Sequence, residues 1–211
     1  DIQLVQSGPP QLISMEPAQT FLYLGMLATT LPPLIVTIDR PAPTGGTAIA
    51  LTSADTNLLD APSTVVIPQG QTSQQLSLSG IAVSSGPVTL EASWEGTTLS
   101  AGVEVIDPSR VPVLAGIEPA TSSVAVGSSL TYTVSFDIPA TPGNQEVSLT
   151  VTPGTFATGP GQLTIPIGEL SADFVVDGID AGSEVITATF GGASVGADLT
   201  VTAQPDIGLV L

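Results

Sequence analysis

The chain has no cysteine, no histidine and no lysine, and its only cations are Arg40 and Arg110. Without cysteine there can be no disulfide, thiolate metal site or cysteine nucleophile. Without histidine and lysine, a Ser-His-Asp triad, a Schiff base and a His-ligated zinc site are excluded too. Nineteen carboxylates against two guanidinium groups leave a net charge of −17. So few bases mean repulsion from nucleic acid and from anionic membranes, because both recruit proteins through Lys and Arg. The imbalance also predicts self-repulsion within the fold. The melting temperature should therefore rise between ~10 mM and ~150 mM salt, as the Debye length falls from ~30 Å to ~8 Å. A melting temperature that does not move over that range contradicts this expectation. Helical signals are missing as well: no ten-residue window places apolar residues at helical spacing. The one long uncharged run, residues 21–38, contains Gly25 and Pro32-Pro33 and is not read as a membrane-spanning helix.

What the chain does have is Thr, Ser, Val, Gly and Pro, the mixture of short strands joined by tight turns. It also repeats itself. Shifted by 98 positions, residues 41–81 lie on residues 139–179 without a gap. Pro41-Ala42 meets Pro139-Ala140, Ile67-Pro68 meets Ile165-Pro166, and Gly80-Ile81 meets Gly178-Ile179. The shared positions are turn residues and alternating apolar residues, which specify a β fold. A period of roughly one hundred residues corresponds to one β-sandwich per copy.

Within copy one, alternation predicts strands at 12–16, 20–24, 33–39, 47–53, 63–67, 73–79, 87–94 and 98–106. Copy two repeats them at 114–118, 122–126, 130–137, 145–152, 162–167, 172–177, 183–190 and 194–202. The expected buried faces include Val36 and Ile38, Leu76 and Leu78, and Leu90, Ala92 and Trp94. In copy two the corresponding sets are Val134 and Phe136, Phe174 and Val176, and Ile186, Ala188 and Phe190. The fold class is all-β, two tandem immunoglobulin-like Greek-key sandwiches spanning 9–107 and 108–204. Residues 1–8 read as the last strand of a preceding repeat or a donated strand, and 205–211 as the first strand of a following repeat or a linker. Both ends should be ordered only where a neighbouring sheet completes them.

Several motifs in copy two carry a family resemblance. A first strand ends in Glu118-Pro119-Ala120 and is followed by the run 126–134, Val-Gly-Ser-Ser-Leu-Thr-Tyr-Thr-Val. Then come Pro139-Ala140 with Gly143, Ile165-Pro166 with Gly168 and Ser171, and Ile-Thr-Ala-Thr-Phe-Gly-Gly at 186–192. The chain resembles the bacterial immunoglobulin-like (Big-type) tandem repeats of large surface and secreted proteins. Copy one departs from the pattern between Gly25 and Arg40, where Pro32-Pro33 is inserted. The resemblance implies a non-catalytic spacer in a bacterial cell-surface or extracellular protein. It brings no catalytic residue and no cofactor. Its implied partners are neighbouring repeats or identical subunits, engaged through the terminal strands, with no nucleic acid and no membrane insertion. The alternatives are a filament subunit joined by strand donation, or a ligand- or carbohydrate-binding module of an adhesin or secreted enzyme.

Among the residues themselves, paired carboxylates are the remaining acid/base chemistry. Glu91 with Glu95, and Asp177 with Asp180, are read as solvated surface groups. No metal is expected. Were a cation held, the candidates are Asp177, Asp180 and Glu184, since calcium takes carboxylate oxygens from tight loops. Trp94, aligned with Phe190, is expected in the core rather than on a sugar-binding surface.

Overall fold

The computed structural model describes residues 8–25, 30–141 and 145–204. The chain divides into two compact units, Asp1–Arg110 and Val111–Leu211. Each is a β-sandwich, and the described residues contain no helix.

In the first unit, β1 (Leu12–Glu16), β3 (Ile35–Ile38) and β7 (Ser73–Gln75) form one sheet in the order β1-β3-β7. The facing sheet is built from β2 (Gln19–Tyr23), β4 (Thr47–Ser53), β6 (Thr64–Ile67), β9 (Val88–Trp94) and β10 (Thr97–Ile106), in the order β2-β10-β9-β4-β6. The short strands β5 (Leu59–Asp60) and β8 (Ser79–Gly80) pair with each other. The second unit repeats the plan. Its sheets are β11-β13-β17-β15 and β12-β19-β18-β14-β16, with β11 Leu114–Glu118, β12 Thr121–Ala125, β13 Ser129–Phe136 and β14 Gln145–Thr152. The remaining strands are β15 (Ala157–Thr158), β16 (Gln162–Ile165), β17 (Ser171–Gly178), β18 (Gly182–Phe190) and β19 (Ala193–Thr202).

Both copies begin alike. The first strand carries a bulge, at Leu12/Ser14 in one and Leu114/Gly116 in the other. The chain then crosses to the opposite sheet at Glu16-Pro17 and Glu118-Pro119, both cis bonds. Proline offers no N–H to a ladder, so the first strand ends there and pairing resumes elsewhere. The resumed strand runs parallel to the last one, β2 beside β10 and β12 beside β19. Two sheets stapled by one strand that changes sides, with otherwise antiparallel neighbours, is the immunoglobulin-like arrangement.

Alternation places the cores where the sequence predicts. Val36, Ile38, Leu76, Leu78, Leu90 and Ala92 are buried in the first copy, and Val134, Phe136, Phe174, Val176, Ile186 and Ala188 in the second. The second core is built around Tyr132, fully buried and stacked on Phe174 with ring centroids 5.6 Å apart. Burial pushes the Tyr132 hydroxyl pKa up, against the opposing effect of its hydrogen bond with Ser122, so the phenol stays neutral. Leu34 takes the equivalent place in the first copy, also fully buried.

Two details differ from expectation. The predicted strand 73–79 breaks into β7 and β8, with Leu76 and Leu78 between them still buried. In the second copy β13 pairs with β17 along its whole length, Ser129↔Asp177 to Ser135↔Ser171. In the first, the inserted Pro32-Pro33 occupies the equivalent of the start of β13 and supplies no N–H. Pairing spans Ile35↔Gln75 through Thr37↔Ser73, flanked by bonds from Leu76 N–H to the Leu34 carbonyl and from Ile38 N–H to the Thr72 carbonyl, both 2.8 Å. The second correction concerns Trp94, which like its counterpart Phe190 packs against the core edge half-buried rather than inside it. Its indole N–H donates to the Pro10 carbonyl at 2.8 Å.

The hairpin after Trp94 needs two positive φ angles, as a two-residue turn between right-twisted strands requires. The second copy meets this with Gly191 (φ 56) and Gly192 (φ 83), the first with Glu95 (φ 47) and Gly96 (φ 82). A side chain in that region costs ~1–2 kcal/mol, partly offset by the extra unfolded-state entropy of glycine. Glu95→Gly should therefore stabilise the first sandwich by about 0.5–1 kcal/mol. The check is a higher urea midpoint by circular dichroism, and an unchanged or lower one contradicts it.

Candidate functional site

The carboxylates singled out from the sequence do not converge. Asp173 and Asp177 lie exposed on β17, each accepting from a hydroxyl of β13: Thr133 to Asp173 and Ser129 to Asp177, both 2.6 Å. Asp180, exposed in the following turn, accepts from the Ala181 N–H at 2.7 Å. Glu91 and Glu95 are likewise exposed. No group of three or more acidic side chains is placed to hold a metal ion among the described residues.

Glu184 is different. It is 2% exposed, the one buried carboxylate among the described residues, and it sits on β18 in phase with Ile186 and Ala188. The register puts Val88, also buried, at the same position in the first copy. A buried carboxylate requires donors, and Glu184 finds them in the loop between β14 and β15. Gly154 N–H donates to Oε2 at 2.8 Å. Thr155, Phe156 and Ala157 N–H groups converge on Oε1 at 2.8, 2.6 and 3.3 Å. Burial alone would raise the Glu184 pKa, but these backbone donors outweigh it and hold the carboxyl below its ordinary value. With its oxygens facing N–H dipoles, Glu184 is turned away from the role of calcium ligand beside Asp177 and Asp180.

The same loop is held at two more points. The Phe156 carbonyl accepts from Ile179 N–H at 2.7 Å and Asp180 N–H at 3.2 Å. Its ring lies over Gly182, where an added Cβ would come within 2.4 to 2.6 Å of ring carbons. The loop is thus clamped by an anion, a carbonyl and an aromatic ring. Copy one solves the problem locally. Asp55 caps its own turn, accepting from Asn57 N–H at 2.9 Å, while the Leu58 carbonyl accepts from Ile81 and Ala82 as Phe156 does. Beside this loop lies an open groove of about 360 Å³, lined in part by Ala54, Asp55, Leu58, Ser84 and Thr89. The Ser84 hydroxyl is already engaged with the backbone of Val105. The groove therefore offers a shallow mixed wall without convergent chemistry.

No protein-family model matches the chain, and no curated protein does. Among solved structures, the chain is similar to domains 4 and 5 of the S-layer protein SbsC. That likeness has 21% identity and a TM-score of 0.40, and covers 93% of this chain and 98% of that one. It is similar also to the D0-D1 domain of intimin, at 17% identity and TM-score 0.32, covering 89% and 95%. The tandem Ig repeats of Dlar are similar at 14% identity and TM-score 0.32, covering 93% and 99%. At these identities the fold rests on the strand order described above.

Of the expectations from sequence, those on the terminal strands fall on residues 1–7 and 205–211, outside the described residues. No helix among the described residues is long and apolar enough to cross a membrane. Glu184, named from the sequence only as a cation candidate, is the residue whose buried, loop-binding place that reading did not identify. The signal that finds it is period-two alternation: a carboxylate in step with Ile186 and Ala188 points inward and must have partners there.

Proposed function

We propose that this chain is a non-catalytic spacer, a segment of a repeat array in a bacterial cell-surface or extracellular protein. The observation that carries the reading is the repetition itself. The same sandwich is built twice in tandem, each copy with its own apolar core and its own bonded loop after the fourth strand. Duplicated self-sufficient sandwiches add length without adding chemistry. Motif likeness to the bacterial immunoglobulin-like repeats supports the reading, as does a residue inventory without histidine, cysteine or lysine.

This role expects an end-to-end arrangement of the two sandwiches, and small-angle scattering tests that expectation. A single compact globule of 211 residues has a radius of gyration of ~17 Å. The spacer reading expects a value well above that, with no hydrolysis of glycans or esters by the purified chain. A radius near ~17 Å, or hydrolysis abolished by replacing one carboxylate, overturns it.

A further inference from the structure

Two arginines and no lysine in 211 residues leave few bonds for an endopeptidase whose S1 pocket selects a basic side chain. One of the two is closed by its neighbour. Arg40 is followed by Pro41, whose ring and tertiary amide obstruct the leaving-group side of the bond. The other, Arg110, is followed by Val111 and stands where the first compact unit ends and the second begins. Arg110 is exposed, and Val111 is 63% exposed. The Arg110 guanidinium pairs with Glu104 at 3.1 Å, with the arginine side chain 42% exposed. Such a surface pair is worth little and yields readily to a competing acidic pocket.

The segment belongs to neither ladder. It begins after β10 with a turn in which Arg110 N–H donates to the Asp107 carbonyl at 2.9 Å, and ends at β11. Pro112 is buried, and Val113 exchanges backbone and carboxylate bonds with Asp137. The exposed bond thus lies between two anchored ends, each fastened to its own sandwich. Cutting there removes no strand from either sheet and opens neither core.

We propose that Arg110–Val111 is the proteolytic processing site of this chain, cut by trypsin-like serine endopeptidases with an acidic S1 pocket, and that cleavage separates two intact sandwiches. Water adds across the bond: Arg110 keeps a new carboxylate and Val111 gains a free ammonium group. The scarcity of basic residues then acts as protection, since the one other basic side chain, Arg40, is followed by Pro41. This inference is independent of the spacer reading.

The experiment incubates the folded 211-residue chain with trypsin and follows the products by intact mass. Heat-denatured chain serves as the reference for an unprotected bond. The expected result is two stable fragments, the second beginning at Val111, each retaining a cooperative thermal transition. Arg110→Gln should abolish cleavage in the folded chain, and Arg110→Lys should restore it. Three results overturn the proposal: a folded chain that stays whole while the denatured chain is cut, fragments from any other bond, or fragments that have lost their thermal transition.

Discussion

Replacing Glu184 with alanine is expected to destabilise the second sandwich by about 1.5–3 kcal/mol, the range for hydrogen bonds to a charged group. The substitution removes the acceptor of N–H bonds from Gly154, Thr155, Phe156 and Ala157 at once. The Ala157 donor is buried and the other three are partly so, and donors that lose their partner there are poorly served by water, which is why the expected cost exceeds that of an ordinary surface carboxylate. Glu184→Gln keeps the shape and one carbonyl oxygen, but turns an NH₂ group toward the same donors, and should cost less than alanine. Calorimetry measures the loss. Trp94, the only tryptophan, lies in the first sandwich, so its fluorescence transition serves as an internal reference. An alanine variant within 1 kcal/mol of the parent, the size of an exposed ion pair, contradicts the clamp.

The same carboxyl sets a pH dependence. Its folded-state pKa lies below the ordinary value of 4.5, so the folded protein binds its proton less readily than the unfolded chain does. The stabilisation is therefore fully present above pH ~4.3, the unfolded glutamate value, and is lost as pH falls through the lower folded value. The calorimetric transition of the second sandwich should move down in temperature on acidification below pH ~4.3. In the Glu184→Gln variant that downward shift should be smaller. Equal acid shifts in parent and variant would show that other carboxylates carry the effect.

Gly182→Ala is the second large expectation. The new Cβ would stand 2.4 Å from a Phe156 ring carbon, far inside van der Waals contact. The ring cannot retreat without moving its own backbone, which is bonded to Glu184, Ile179 and Asp180. Overpacking of this kind costs ~1–3 kcal/mol. In a Phe156→Ala background the clash is gone, and the alanine at 182 should then cost close to nothing. That non-additivity is the signature of direct contact. Equal costs in both backgrounds would place the strain elsewhere.

Much of the fold is legible because it rests on local rules. Period-two alternation identifies a buried face without knowledge of what lies opposite, so Leu90 and Ala92, or Ile186 and Ala188, are core residues on pattern alone. Turns announce themselves through Pro and Gly at fixed offsets, as at Gly70 and Gly168 with φ 80 and 84. The break between β7 and β8 is less legible. Residues 73–79 alternate well enough for a strand, and the cause lies across the sheet at Pro32-Pro33. Trp94 is similar, since its exposure depends on Pro10 reaching the indole from another part of the chain.

By itself, then, the amino-acid order determined the all-β class, the two copies, their inward faces and the exclusion of thiol, imidazole and amine chemistry. These follow from composition, spacing and periodicity, which act over a few residues or count them. Only the tertiary structure decided what the acidic side chains do. Asp173 and Asp177 remain solvated, while Glu184 closes a loop whose donors lie 27 to 30 residues away in the chain. A carboxylate carries the same charge in either setting. Whether it faces water or a ring of backbone N–H groups depends on which segment folds over it.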